Sequence, residues 1–460
     1  MTQNVLFIAG EYPPIKTIGR IRSAKFTEHL PKHGWNPIVL TVERPDLYDP
    51  ALEAEIPKGT TVYRAPYPDI EEQYITRLKR LAGRGGPTPR QAGTANGPSA
   101  PPPAAEAAAP QGLVDKGSRL AKAFIRNWLL IPDGYTGWAR NALPLAREIC
   151  HKHQIDVVYT SLPPFSAARI GYALRKELGI PWVVDYRDLW YGDVLREWVP
   201  PLRQRLELAI ERRWMAAADL IITVSEPKTE FVRQLIPKTK ARFATLTNGY
   251  DTEVYEPLLA EPRQVNDVID FTFTGRLFKN RQGHTFAEAL GQLVQEQPEL
   301  RSKVKVHILG GVAPEIRARY DAILDRYGIA DLYEFPGDVS YQDAMRAQVQ
   351  TDYLLLIVDT GETSSGVIPG KLFEYVAAKR PIFALTDPGA TQEIIERAGI
   401  GTVVPATDVG ACKKALAEVL AQPVPETPEA DADYLARFER RNLTSRLAGL
   451  LDELSPGATS

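Results

Sequence analysis

Cysteine is nearly absent from this 460-residue chain: Cys150 and Cys412 are the only two, far apart in sequence. No disulfide scaffold and no cysteine-based zinc site can be assembled from them, which fits a reducing compartment. No apolar run approaches the ~20 residues of a membrane-spanning helix. The opening MTQNVLFIAGEYPP lacks a basic stretch, and its apolar run is too short for a signal peptide. A dominant charge is missing too. The net charge is −2, so nothing global attracts nucleic acid, and none is expected as a partner. Several chemical motifs are absent: the G-x-G-x-x-G dinucleotide fingerprint, the P-loop, the His–Glu–His helix, the G-x-S-x-G elbow and any aspartate cluster with metal spacing. No metal is therefore expected, and fixed Arg and Lys charges would have to do the work that Mg²⁺ does elsewhere. His151 and His153 flank one lysine and read as surface residues. Together these absences predict a cytoplasmic protein.

What is present is a steady alternation of strands and helices. The length exceeds what one core supports, so two domains are expected. Strands are predicted at 4–9, 37–42, 61–66 (an edge strand), 155–161, 181–186, 219–224 and 242–247, with helices at 20–32, 136–153, 165–178, 201–217 and 227–236 between them. The polar, Pro-containing stretch 255–268 reads as a linker. Alternation then resumes, with strands at 270–275, 305–310, 333–337, 353–358, 381–385 and 402–404, and helices at 284–295, 314–327, 341–349, 390–398 and 409–421. Residues 422–432 read as a second linker and 433–454 as a last helix that packs back on the first domain. Such alternation implies parallel sheets with right-handed crossovers. The expectation is an α/β chain of two doubly wound domains, 1–254 and 255–432, facing a central cleft. Residues 83–112 contain no Val, Ile, Leu or aromatic residue and read as a disordered surface insertion in the first domain. Residues 114–130 look amphipathic, with Leu120, Phe124 and Trp128 one turn apart among basic residues. Such a helix, like the basic helix 20–32, can lie on an anionic membrane surface or simply face solvent and pack on its own domain.

One stretch organises the second domain. Residues 353–358 form a continuous apolar run, the mark of a strand buried on both faces of a parallel sheet. A Gly-bounded loop ending at Gly366 follows, then Val367, Ile368 and Pro369 at the start of a helix, where Lys371 and Glu374 share a face. Ligands of open α/β sheets bind outside the carboxyl ends of strands, and a helix N-terminus there suits an anion. The first strand of the same domain ends in Gly275-Arg276-Leu277-Phe278-Lys279-Asn280-Arg281, three cations that could clasp a diphosphate from the other side. Spacing alone leaves open a plain βα turn with a surface ion pair and a solvated basic loop.

Several segments, in order, resemble the retaining GT-B-fold glycosyltransferases, the large bacterial group that builds polysaccharides and glycolipids from nucleotide sugars. They are Tyr12-Pro13-Pro14 with Gly19 and Arg22, Ser161-Leu162-Pro163-Pro164, Asp185-Tyr186-Arg187-Asp188-Leu189-Trp190, Asn248-Gly249-Tyr250-Asp251, Gly275-Arg276, and Pro369 to Tyr375. The resemblance covers nearly the whole chain except 77–113. It implies transfer of a sugar, of hexosyltransferase type and with retention, from a UDP- or GDP-linked donor to a glycan, lipid-linked or small-molecule acceptor. It also implies no cofactor beyond that co-substrate, and a place at the inner face of the plasma membrane as a peripheral protein. A sugar-nucleotide epimerase of the same architecture and a non-catalytic nucleotide-binding subunit are the alternatives.

The resemblance also implies roles. Arg276, with Lys279 or Arg281, would bind the donor diphosphate and stabilise the leaving charge. Glu374 would hold the ribose hydroxyls, and the backbone at Asp338 and Val339 the nucleobase. Gly19 and Gly275 would let backbone approach phosphate, and Gly366, Val367, Ile368 and Lys371 complete the donor turn. Ser161, Asp188 and Arg22 fall on the acceptor side, where many members carry a histidine that has no match here; Asp188 is the candidate catalytic group among them. Gly366 stands where many members carry a second, sugar-contacting glutamate.

Overall fold

The computed structural model describes residues 2–68, 130–193, 198–263, 267–361, 364–424 and 430–455, with isolated positions 70, 124, 127, 128, 196 and 428. The insertion 83–112 and most of 114–130 lie outside the described residues. Two compact units emerge. The first comprises Met1–Val224, Lys228–Leu246 and Thr444–Ser460, and the second Ser225–Pro227 and Thr247–Leu443.

The first unit is built on seven strands: β1 (Gln3–Ala9), β2 (Trp35–Glu43), β3 (Thr61–Pro66), β4 (Val157–Leu162), β5 (Trp182–Tyr186), β6 (Leu220–Thr223) and β7 (Arg242–Thr245). Their order is β3-β2-β1-β4-β5-β6-β7, and every pair is parallel. Residues Val5 to Ala9 and all of β4 and β5 are buried, as strands covered by helices on both faces must be. Only β3 and β7, at the two edges, carry exposed or half-buried residues throughout most of their length.

The second unit holds β8 (Ile269–Thr274), β9 (Val304–Leu309), β10 (Tyr333–Gly337), β11 (Tyr353–Ile357), β12 (Ile382–Leu385) and β13 (Gly401–Val404), in the order β10-β9-β8-β11-β12-β13, again all parallel. Period-2 alternation splits its core in two. Phe271, Phe273, Leu355 and Ile357 pack on one face; Leu354, Leu356, Ile382 and Ala384 pack on the other with helix Gly370–Ala378. Both sheets reverse order beside their first strand, at β1/β4 and β8/β11. That is the switch point outside which α/β sheets bind ligands.

Three expectations are corrected. The stretch 255–268 is not simply a linker: Thr252–Leu259 is helical and Tyr255 is buried in the second unit's core. The boundary accordingly falls at Leu246/Thr247. The last helix is not continuous. It breaks between Ala432–Ala436 and Arg440–Asp452 because Phe438 O accepts from Tyr250 N (3.1 Å) and Arg440 N donates to Tyr250 O (3.0 Å). From Thr444 on, the chain belongs to the first unit, where Trp35 Nε1 donates to Asp452 Oδ1 (2.8 Å). Finally, helix 20–32 ends at His29 and tightens into a 3₁₀ turn at Pro31, which cannot donate a backbone hydrogen bond.

On the second sheet, His307 of β9 lies between Asp270 Oδ1 (3.1 Å from Nε2) and Glu334 Oε2 (3.0 Å from Nδ1). Both ring nitrogens can donate only in the imidazolium, so the pair of carboxylates, Asp270 foremost, raises the His307 pKa above its ordinary value. A group whose pKa rises on folding stabilises the fold below its unfolded pKa and loses that contribution as pH climbs through the folded one. His307→Gln should therefore lower the melting temperature clearly at about pH 5.5 and much less at about pH 8.5. An equal loss at both, read by differential scanning calorimetry, would contradict this origin.

Candidate functional site

In the second unit the central strand β8 ends at Thr274, and Gly275 follows with φ +138°, a conformation that L side chains rarely adopt. A Cβ there would collide with the Lys371 side-chain carbons. Gly275 thus lets the Lys371 stem lie across the strand end. Burial first, and Arg281 second, lower the Lys371 pKa. Arg281 is itself anchored by Asp359 Oδ2 (2.6 Å), just past the end of β11, and lies over the Phe278 ring at 5.2 Å. Arg281 Nε and Asp359 Oδ1 are buried without a hydrogen-bond partner. The structure therefore brings Arg281 and Lys371 together as two cations, with Asp359 paired to Arg281 and with Glu374 and Asp359 as the acids acting on Lys371.

Arg276 is different. Its side chain is 72% exposed, and its pair with Asp338 is long, 3.2 Å between Nη2 and Oδ2. Such a pair contributes little to stability and leaves the guanidinium free to re-aim. Asp338 is fixed from the other side, its Oδ1 accepting from Gly311 N (2.9 Å). Val339 beside it is exposed. Lys279 is exposed too, with its carbonyl accepting from Gln282 Nε2 (2.6 Å).

Helix Gly370–Ala378 begins after Pro369 and is pinned by Tyr375, whose hydroxyl accepts from Thr274 N (3.0 Å) and donates to Leu355 O (3.3 Å). Glu374, one position earlier, is half-buried and accepts from Gln348 Nε2 (3.1 Å). Gln348 also donates to Thr274 Oγ1 (2.9 Å) and accepts from Tyr255 OH (2.7 Å). Glu374 is thus held at one oxygen by a neutral donor. Gly366 is buried in a 3₁₀ turn, Val367 O accepts from Thr391 Oγ1 (2.7 Å), and Ile368 is buried.

In the first unit the strand ends carry a separate polar group. Arg22 is buried; its Nε and Nη2 hold Asp185 bidentately (2.7 and 2.8 Å), and Nη2 also donates to Leu246 O (2.9 Å). Tyr159 OH donates to the same carboxylate (2.5 Å). Arg22 is therefore a structural cation rather than an open acceptor-side one. Gly19, expected to face a phosphate, instead leaves room for the buried Glu11–Arg187 pair (2.8 Å), which a Cβ would strike. Ser161 Oγ at the end of β4 is buried with no partner, and Asp188 is half-exposed. Glu11, Asp359, Gln348 and Tyr159 were missed from sequence. Asp359 alone had a signal, as the first polar residue after the apolar run 353–358.

Each half of the chain matches a known family. The profile described as Glycosyltransferase Family 4 matches residues 98–254, and that described as Glycosyl transferases group 1 matches 269–422. A curated relative, the D-inositol 3-phosphate glycosyltransferase of Kribbella flavida, is 24% identical over 326 residues, 63% of this chain and 71% of that protein. The chain is a GT-B glycosyltransferase. Its fold is shared, at 15% identity and a TM-score of 0.60, with the sucrose-phosphate synthase of Thermosynechococcus elongatus, over 98% of this chain and 99% of that one. The Anabaena protein HepE, solved in complex with UDP and glucose, matches at 13% identity and a TM-score of 0.56, over 98% of this chain and all 100% of that one. Among the described residues of this glycosyltransferase, no helix is long and apolar enough to cross a membrane.

The two ion-pair classes predict mutational costs of different size. Asp185→Ala strands the buried Arg22 charge and should cost about 3–5 kcal/mol in denaturant unfolding. Glu55→Ala, which frees Arg20 from a partly exposed pair (2.7 Å), should cost under about 1 kcal/mol.

Proposed function

We propose that this glycosyltransferase takes its sugar from a nucleoside-diphosphate donor held by the second unit, and passes it with retention to a glycan, lipid-linked or small-molecule hydroxyl acceptor. The carrying observation is the apposition of Lys371 and Arg281, two cations held at the β8 and β11 strand ends with Asp359 as the nearby counter-charge. Like charges kept close in a half-buried setting call for a multivalent anion, and a diphosphate supplies one. Arg276, held only by an exposed pair, would close over it. Glu374, with one oxygen committed to Gln348, has acceptor capacity left for ribose hydroxyls. Asp338 and Val339 would border the base. The bound UDP of HepE supports a uridine donor as the first to test.

In the reaction, the bond between the anomeric carbon and the diphosphate oxygen breaks and the electron pair leaves with the phosphate. Arg276, Arg281 and Lys371 would stabilise that charge, the kind of electrostatic contribution that often dominates rate. With three cations in that role, no metal is required. The acceptor hydroxyl would attack from the face the diphosphate leaves, its proton passing to the departing phosphate oxygen, so the donor configuration is kept. On the first unit, half-exposed Asp188 and Ser161, with its unpartnered hydroxyl, would be the groups that serve the acceptor.

Two experiments test this. Glu374→Gln should weaken UDP or GDP binding severalfold in a thermal-shift titration yet leave inorganic pyrophosphate binding unchanged; equal losses would remove Glu374 from the ribose. Arg276→Ala should cut acceptor-dependent nucleotide release by about 10²–10³ without lowering the melting temperature, in the presence or absence of chelator. The lowered Lys371 pKa gives a further sign. A bound diphosphate favours the ammonium, so at about pH 9 nucleotide binding should take up protons, and Lys371→Met should abolish the uptake, read by calorimetry in buffers of different ionisation heat.

A further inference from the structure

Helix Pro201–Met215 of the first unit sorts its charges by depth. Both glutamates face inward. Glu207 accepts from Arg203 Nε (2.5 Å), Arg196 Nη2 (2.5 Å) and Trp190 Nε1 (2.9 Å), and Glu211 accepts from Tyr186 OH (2.9 Å). Beyond its leading proline, the helix exposes Leu202, Arg205, Leu206, Ala209, Arg212 and Arg213, which are apolar or cationic without one acid. Leu202 and Leu206, one turn apart, are 65% and 45% exposed, and Trp198 just before the helix is 40% exposed. Buried Arg203 lies 5.8 Å from the Trp198 ring and donates to Leu130 O (3.2 Å) and Pro132 O (2.9 Å). It thereby ties to the helix the chain that follows Trp128 and Phe124, both exposed. Of nine large apolar side chains exposed among the described residues, five belong to this helix or to the two segments beside it. That concentration sets it apart from scattered surface leucines.

A face turned only to water has no use for paired leucines and tryptophan, and a solvated helix mixes acids among its cations. Here the acids are internal. The basic helix Arg20–His29 makes the contrast: Arg20 pairs with Glu55, Lys25 with Glu28, and Arg22 is buried, so its charge is spent inside the protein. We propose that the outer face of helix Pro201–Met215 docks on an anionic lipid surface. Leu202, Leu206 and Trp198 enter the headgroup–acyl boundary, and Arg205 and Arg213 meet lipid phosphates. Apolar area and cationic rim act together, since neither alone gives stable anchoring. The docking is independent of the donor chemistry above.

Sedimentation of the full chain with vesicles tests it. Binding is expected to phosphatidylcholine vesicles containing a third phosphatidylglycerol at low salt, and not to phosphatidylcholine alone. The double variant Arg205→Glu/Arg213→Glu should lower partitioning by about tenfold or more. Leu202→Asp/Leu206→Asp should abolish it, and both should keep the wild-type melting temperature because the sites are exposed. No binding to anionic vesicles, or binding that both variants leave intact, would overturn the proposal. So would a concentration-dependent dimer that Leu202→Asp/Leu206→Asp dissolves while vesicles stay unbound, which would assign the face to a second copy of the chain.

Discussion

Parallel strands covered on both faces leave polarity only one place to go. In each sheet the central strands are apolar along most of their length, so the charged and hydrogen-bonding groups collect at the strand ends. In the second unit that confinement brings Gly275, Arg281, Asp359 and Lys371 to one edge, outside the point where strand order reverses. The apolar core thus leaves the strand ends as the place for a polar site: the helices that bury the sheet also deliver Lys371 and Glu374, and Tyr375, one residue further on, locks their helix to β8 and β11. Site and core are built from consecutive residues of one helix.

The two units use the same architecture for different ends. In the first, the strand-end polar groups mostly satisfy one another. Arg22, Asp185 and Tyr159 form a closed, buried set, and Glu11 is paired with Arg187, whose Nε alone is left without a partner. Such sets hold loops rigid because removing one member leaves a desolvated charge. In the second unit the groups are under-satisfied: Arg276 is loosely paired, Arg281 and Asp359 each keep an unpartnered atom, and Lys371 sits beside another cation. Rigid self-satisfied loops suit a platform, and under-satisfied cations suit a ligand.

The fold was legible because it rests on periodicity. The edge strand Thr61–Pro66 and the helices Thr136–His153, Pro314–Tyr327 and Ala390–Ala398 have the limits that their apolar spacing predicts. What stayed hidden depends on partners distant in sequence. Nothing near Arg22 announces Asp185, and nothing near Gly19 announces that Glu11 and Arg187 need its missing Cβ. The break at Phe438 likewise follows from pairing with Tyr250, which helical spacing over 433–454 cannot reveal. In the turn expected to hold the donor, the sequence pointed to Arg276 as the principal cation, whereas burial puts Lys371 and Arg281 deeper. Charge can be read from letters, but depth cannot.

The path of the chain has a consequence for how the protein is made. The first unit needs residues 444–455, synthesised after the whole of the second, and its Trp35 and Gln3 wait for Asp452 and Ser455. The second unit, drawn almost entirely from 247–443, has no such wait. Domains commonly fold in the order they leave the ribosome. Here the earlier one is completed last, and its first-made strands must stay competent for pairing until the final helix arrives.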